Sequence, residues 1–192
     1  RLPVLTNFNE NRIRSVIETA GGNIFICTDG GIYKSNKNRK NWKNINLAGS
    51  NVVERNGVLI ATSTKGIMRS TDAGETWAMV ISEGGVGIDV ELIQGGIAAI
   101  TYNTASKTRR IRASYDDGKT WQPIDAGLKG SQSISSIIQV GDNFFCGHPS
   151  GIFKSSDKGK TWKLLLPSVK DKVFKLSVSG NVIYAIPVVE GC

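Results

Sequence analysis

STDAGETW (residues 70–77), SYDDGKTW (114–121) and SSDKGKTW (155–162) are three copies of one phrase, Ser-x-Asp-x-Gly-x-Thr-Trp. A fourth stretch, SNKNRKNW (35–42), keeps only the serine and the tryptophan. All four tryptophans of the chain close one of these octapeptides, at positions 42, 77, 121 and 162. A period of roughly 40 residues marks a repeat architecture, and the repeat governs any local reading.

Each period carries the same order of short apolar segments. The first runs IRSVIET, NIFICT, IYKS, octapeptide, WKNI; the fourth runs ISSIIQV, NFFCG, IFKS, octapeptide, WKLLL. Gly, Asn and Asp punctuate them, and the segments are rich in Val, Ile and Phe without a 3.6-residue period. Four strands per repeat and almost no helix are the expectation. The fold class this implies is all-β, a β-propeller of four-stranded antiparallel blades. Blade limits fall near 11–46, 50–81, 87–125 and 132–166, with a partial blade over 172–192 and an outer strand over 1–10. The ring is either closed as five blades or part of a larger one of six to eight.

The octapeptide sits where the third strand turns into the fourth. Asp72, Asp116 and Asp157 are placed to fold back onto backbone N–H groups. Gly74, Gly118 and Gly159 supply positive φ. Thr76, Thr120 and Thr161 restart the extended chain, and Trp77, Trp121 and Trp162 are expected to bury apolar area between blades. Ser70, Ser114 and Ser155 open the three copies.

The motif resembles the Asp-box, or BNR repeat, of sialidases, sortilin-type receptors, certain endoglucanases and photosystem II assembly factors. The lead-in Gly-Ile-x-[Lys/Arg]-Ser (Gly31–Ser35, Gly66–Ser70, Gly151–Ser155) is most similar to the assembly-factor and endoglucanase branch. The resemblance implies a propeller in which the octapeptide is architecture on the rim away from the ligand face. It leaves function open, because one fold serves many chemistries.

Composition narrows the classes. The net charge is +8, with 24 Lys and Arg against 16 Asp and Glu. The basic residues are dispersed, which argues for a solvated basic surface and against a nucleic-acid face. No apolar run reaches the ~20 residues of a membrane span. The chain begins at Arg1, so an export signal would not be visible in it; a secreted or periplasmic setting is expected. Cys27, Cys146 and Cys192 form no CxxC pattern and read as buried small hydrophobes. With a single histidine, neither a metal nor a cofactor is expected.

Catalytic patterns are thin. Arg1 in RLP resembles one sialidase arginine motif, yet Tyr33, Tyr102, Tyr115 and Tyr184 pair with no glutamate in the sequence. Asp89 and Glu91, two apart on an inner strand, would point to one side and are the candidates for a glycoside hydrolase of sialidase or endoglucanase type. One loop breaks the repeat's rule. NTASKTRRIR (103–112) is longer than its counterparts and gathers Lys107, Arg109, Arg110 and Arg112. Arg112 stands where the sister repeats carry Tyr33, Met68 or Phe153. With His148 on the same rim, these residues form the candidate binding patch for a protein or an anionic glycan. The leading expectation is a non-catalytic binding or assembly platform, associating with another chain if the ring is incomplete.

Overall fold

The structure, a computed structural model, describes residues 12–36, 41–82, 85–170, 172–180 and 182–188. The segment 1–10 with Arg1, positions 37–40 of the degenerate octapeptide, and Cys192 lie outside the described residues. The chain divides into two compact units, Arg1–Val90 and Glu91–Cys192.

The described residues form an all-β chain of repeated four-stranded antiparallel sheets. The first sheet holds β1 (Ile13–Glu18), β2 (Ile24–Thr28), β3 (Gly31–Ser35) and β4 (Trp42–Asn44). The second holds β5 (Val52–Arg55), β6 (Val58–Ser63), β7 (Gly66–Ser70) and β8 (Ala78–Ile81). The third comprises β9 (Gly85–Ile93), β10 (Gly96–Asn103), β11 (Thr108–Ser114) and β12 (Gln122–Pro123). The fourth comprises β13 (Ser136–Val140), β14 (Asn143–His148), β15 (Gly151–Ser155) and β16 (Lys163–Pro167). A two-stranded sheet follows, β17 (Val173–Ser179) and β18 (Val182–Val188). Within each sheet the strands lie in chain order.

The second strands β2 and β6 are buried at every residue. They are central in their sheets and covered on both faces, so alternation gives way to continuous apolar runs. The third strands β3, β7 and β15 share one burial pattern along Gly-Ile-x-[Lys/Arg]-Ser: the glycine, isoleucine and serine are buried, and the two residues between are half-buried. In the first unit, Phe25, Cys27, Ile32, Val52, Leu59 and Ala61 make one core cluster, with Ile45, Met68 and Trp77 packed against it. In the second, Phe174 and Leu176 of β17 join Ile138, Phe145 and Ile152 of the fourth sheet.

The octapeptides close on themselves. Ser70 Oγ donates to Asp72 Oδ1 at 2.7 Å and accepts from the Gly74 N–H at 2.9 Å. Asp72 then accepts the Thr76 N–H at 2.9 Å and the Thr76 hydroxyl at 2.5 Å. The same set recurs around Asp116 and Asp157. These donors hold the three carboxyls below the usual range, with the threonine hydroxyl the largest cause; Asp157 falls to about 2. The aspartate role matches the sequence reading. The threonines do more than expected, because each hydroxyl also donates to the carboxylate.

Two features depart from expectation. Positive φ is adopted by Ala73, Asp117 and Lys158 as well as by the glycines that follow them, so the turn requires two left-handed residues. The tryptophans are half-buried rather than fully enclosed. Their indoles also differ in partner: Trp77 and Trp121 donate to Gly74 O and Gly118 O at 3.2 Å, whereas Trp162 donates to Ile124 O at 2.8 Å.

Candidate functional site

The residues of the long loop separate in the structure. Asn103 Oδ1 accepts the N–H groups of Ala105 and Ser106, an Asx turn that leads to exposed Lys107 at φ 53°. Arg109, Arg110 and Arg112 belong to β11 itself, opposite Tyr102, Thr101 and Ala99 of β10. Arg112 is 7% exposed and donates through Nη1 to Thr101 Oγ1 at 2.9 Å. Its side chain is therefore an internal strut rather than part of a surface patch.

Arg109 and Arg110 do meet a common space. A cleft of 320 Å³ opens beside β11, lined among others by Arg109, Arg110, Asp125, Lys129 and Ile134. That is the low end of small-molecule sites, roughly 300–1,000 Å³. Arg110 holds Asp125 in a forked pair, Nε to Oδ2 at 2.6 Å and Nη2 to Oδ1 at 3.1 Å. Asp125 Oδ2 also accepts the Ile111 N–H at 3.1 Å. Arg109 is anchored by Nη1 on the Ile134 carbonyl at 2.5 Å and by its backbone N–H on Ser131 O at 2.7 Å. Three cations against one carboxylate leave this lining cationic.

His148 supports the cleft from behind. It is 2% exposed and packs edge-on against Phe153. Nδ1 accepts the Ser150 N–H at 3.1 Å, so the proton resides on Nε2, which donates to Lys129 O at 2.9 Å. Through that bond the histidine holds the Lys129 loop in place. Asp125, Lys129 and Ile134 escaped the sequence reading. Their signal was the connection 124–135, the longest between consecutive sheets.

Asp89 and Glu91 lie on β9, both half-buried. Asp89 Oδ1 accepts Asn51 Nδ2 at 2.9 Å and the Val90 N–H at 3.0 Å. Burial pushes the Cys27 thiol up to about 11 and raises that of Cys146 further, with the Asp125 charge adding to the latter. Among the described residues no group of three or more His, Cys, Asp or Glu is placed to hold a metal ion, and no helix is long and apolar enough to cross a membrane.

No protein family and no curated protein matches the sequence. Solved structures do match in fold. An ancestral GH74 enzyme superposes with a TM-score of 0.72 at 17% identity, over 92% of this chain and 27% of its own. YCF48 from Cyanidioschyzon merolae gives 0.63 at 14% identity, over 98% of this chain and 70% of its own. The GH74 xyloglucanase from Xanthomonas campestris gives 0.65 at 15% identity, over 91% and 34%. The likeness is one of fold. This chain spans about a quarter to a third of the length of the two GH74 proteins, and about two thirds of YCF48.

Proposed function

We propose that this chain is a set of Asp-box (BNR) β-propeller blades acting as a non-catalytic binding platform, with the Arg109–Lys129 cleft as its recognition site for a carboxylate-bearing partner, an acidic protein segment or an anionic glycan. The observation that carries this reading is the cationic cleft lined by Arg109, Arg110 and Lys129, with a buried histidine holding the Lys129 loop in place. A guanidinium–carboxylate contact is charge-assisted and roughly twice as strong as a neutral hydrogen bond. Lys107 sits at the turn leading into the same strand and would extend the reach of the cationic rim. Blade number, whether five in a closed ring or six to eight in a larger one, is part of the proposal and is read from small-angle scattering.

The test is binding of uronic-acid oligosaccharides and of Asp/Glu-rich peptides to the chain and to its Arg109→Ala and Lys129→Ala variants. Affinity falling at least tenfold in both variants, and falling with added salt, supports the site. Binding that both variants retain overturns it.

The alternative is a glycoside hydrolase, which the fold likeness to GH74 enzymes favours. A hydrolase requires two converging carboxylates, one with its pKa raised. The engagement of Asp89 by Asn51 and by the Val90 N–H, together with the downward shifts at Asp72, Asp116 and Asp157, weighs against it. Release of reducing ends from xyloglucan that disappears in Asp89→Asn would favour the hydrolase.

A further inference from the structure

The edge of the fourth sheet carries a combination that its sister sheets lack. Leu164 of β16 stands opposite Phe153; the same place is held by Asn44 opposite Tyr33, Met79 opposite Met68 and Pro123 opposite Arg112. All four residues are exposed. Pro123 is exposed even though the fourth sheet lies against its own, with Trp162 donating to Ile124 O. Exposure is therefore a property of this position in every sheet. In the fourth sheet the position is filled by a leucine, 50% exposed. The pairing there steps from Ile152–Leu166 to Phe153–Leu164, which leaves Leu165 as a bulged extra residue, 58% exposed.

The turn that leads into this strand is basic. Lys158 stands where the other two intact octapeptides have Ala73 and Asp117, and all three adopt positive φ. Lys160 takes the place of Glu75 and Lys119. Directly after the tryptophan, Lys163 replaces Ala78 and Gln122. Lys158, Lys160 and Lys163 are all exposed. The single acid of the turn is engaged from within: Asp157 accepts the Ser155 and Thr161 hydroxyls at 2.8 and 2.6 Å, and the Thr161 N–H at 2.9 Å. In the second sheet the same turn has the opposite sign, and its Glu75 draws in Lys34 and Lys43. Three cations against one internally bound carboxylate leave the fourth corner positive.

Exposed leucines flanked by lysines suit one kind of surface. At an anionic bilayer the aliphatic side chains enter the acyl boundary while the ammonium groups stay with the headgroup phosphates. Firm peripheral attachment needs both contributions together. A nucleic-acid backbone would engage the lysines and leave the leucines in water.

We propose that this corner, Lys158, Lys160 and Lys163 with Leu164 and Leu165, seats the chain on a membrane surface that carries anionic lipid headgroups. The contact is peripheral, made by one turn and one edge strand. It uses no residue of the Arg109–Lys129 cleft, so failure of either reading leaves the other standing.

The test is flotation of the chain with vesicles of phosphatidylcholine alone and of phosphatidylcholine mixed with phosphatidylglycerol. Binding to the mixed vesicles only is expected. It should weaken at least about tenfold in Lys158→Gln/Lys160→Gln/Lys163→Gln and again in Leu164→Ser/Leu165→Ser. The control Arg12→Gln/Lys65→Gln/Lys175→Gln removes the same charge from exposed positions elsewhere and should bind nearly as the parent does. Circular dichroism checks each fold. A second readout needs no loss of binding: a polarity-sensitive NBD label on Leu165→Cys in a Cys192→Ser chain should shift its emission to the blue on mixed vesicles. Cys27 and Cys146 are buried and stay unlabelled. Absence of binding to the mixed vesicles overturns the proposal, as does an unshifted label. An equal loss in the control overturns it too, because overall charge then suffices. So does binding that survives Leu164→Ser/Leu165→Ser, because the partner is then any polyanion.

Discussion

The indole of Trp162 reaches across 38 positions of sequence to the carbonyl of Ile124, while the indoles of Trp77 and Trp121 close onto glycines three residues back. One motif therefore makes a long-range tie in one copy and local ties in two. Replacing Trp162 by Phe removes a single hydrogen bond between a half-buried indole and the carbonyl of buried Ile124, a loss of about 1 kcal/mol. Urea denaturation followed by circular dichroism reads it. The sharper expectation is that Trp162→Phe also loosens the join between the third and fourth sheets, seen as faster amide exchange at Ile124, with no comparable change at Gly74 in Trp77→Phe.

Gly159 and Gly127 both adopt φ above 80°, yet only Gly159 is crowded. Gly127→Ala should cost about 1 kcal/mol, the backbone term alone. Gly159→Ala adds a collision with the Ile124 backbone and Cβ, for a total of about 3–4 kcal/mol. Equal losses in the two variants would contradict the close approach.

Acid sensitivity follows from the octapeptide carboxylates. Their folded pKa values lie below the ordinary 3.8, with Asp157 near 2. A depressed folded pKa contributes stability above the unfolded value, and that contribution is lost as pH falls through the folded one. The melting temperature should therefore drop between about pH 4 and pH 2. The Asp72→Asn/Asp116→Asn/Asp157→Asn variant should melt lower at neutral pH and show a flatter profile across that window.

Arg112 faces Ala99 as Met68 faces Ala61 in the second sheet. Arg112→Met should be neutral or stabilising, because a buried cation is exchanged for an apolar chain that the repeat already accommodates. Thr101→Val removes one acceptor of the buried cation, and should cost about 1 kcal/mol. Thermal melts of the two variants should move in opposite directions.

Cys27 and Cys146 are buried thiols with raised pKa. In a Cys192→Ser variant at pH 8, neither should react with iodoacetamide until denaturant is added, as read by intact mass. Rapid alkylation of the folded protein would contradict their burial.

The sheets were legible because each repeat states its strands in the same order, and the Ser-x-Asp-x-Gly-x-Thr-Trp spacing encodes a turn satisfied within seven residues. The anomalous position of Arg112 was legible too, but not its meaning. A basic residue replacing an apolar one reads as surface until the facing Ala99 and Thr101 are seen to make room and an acceptor for it. The bond from His148 to a carbonyl 19 residues upstream was not legible in the sequence. Asp125 and Lys129 were missed because DAGLKG belongs to no repeated strand and carries no motif. Their convergence with Arg109 is a product of tertiary register, which periodicity does not encode.

Among the described residues the strands of each sheet pair in chain order, and that has a kinetic corollary. Each hairpin closes a short loop, so the entropy cost of forming a sheet is met locally and early. The octapeptides, whose serine, aspartate and threonine hydrogen bonds close within seven residues, suit the part of ready-made corners about which such hairpins condense. A chain assembled this way tolerates duplication or excision of whole periods, since among the described residues no sheet borrows a strand from a distant part of the sequence. Its growth over evolution would be by counting, not by redesign.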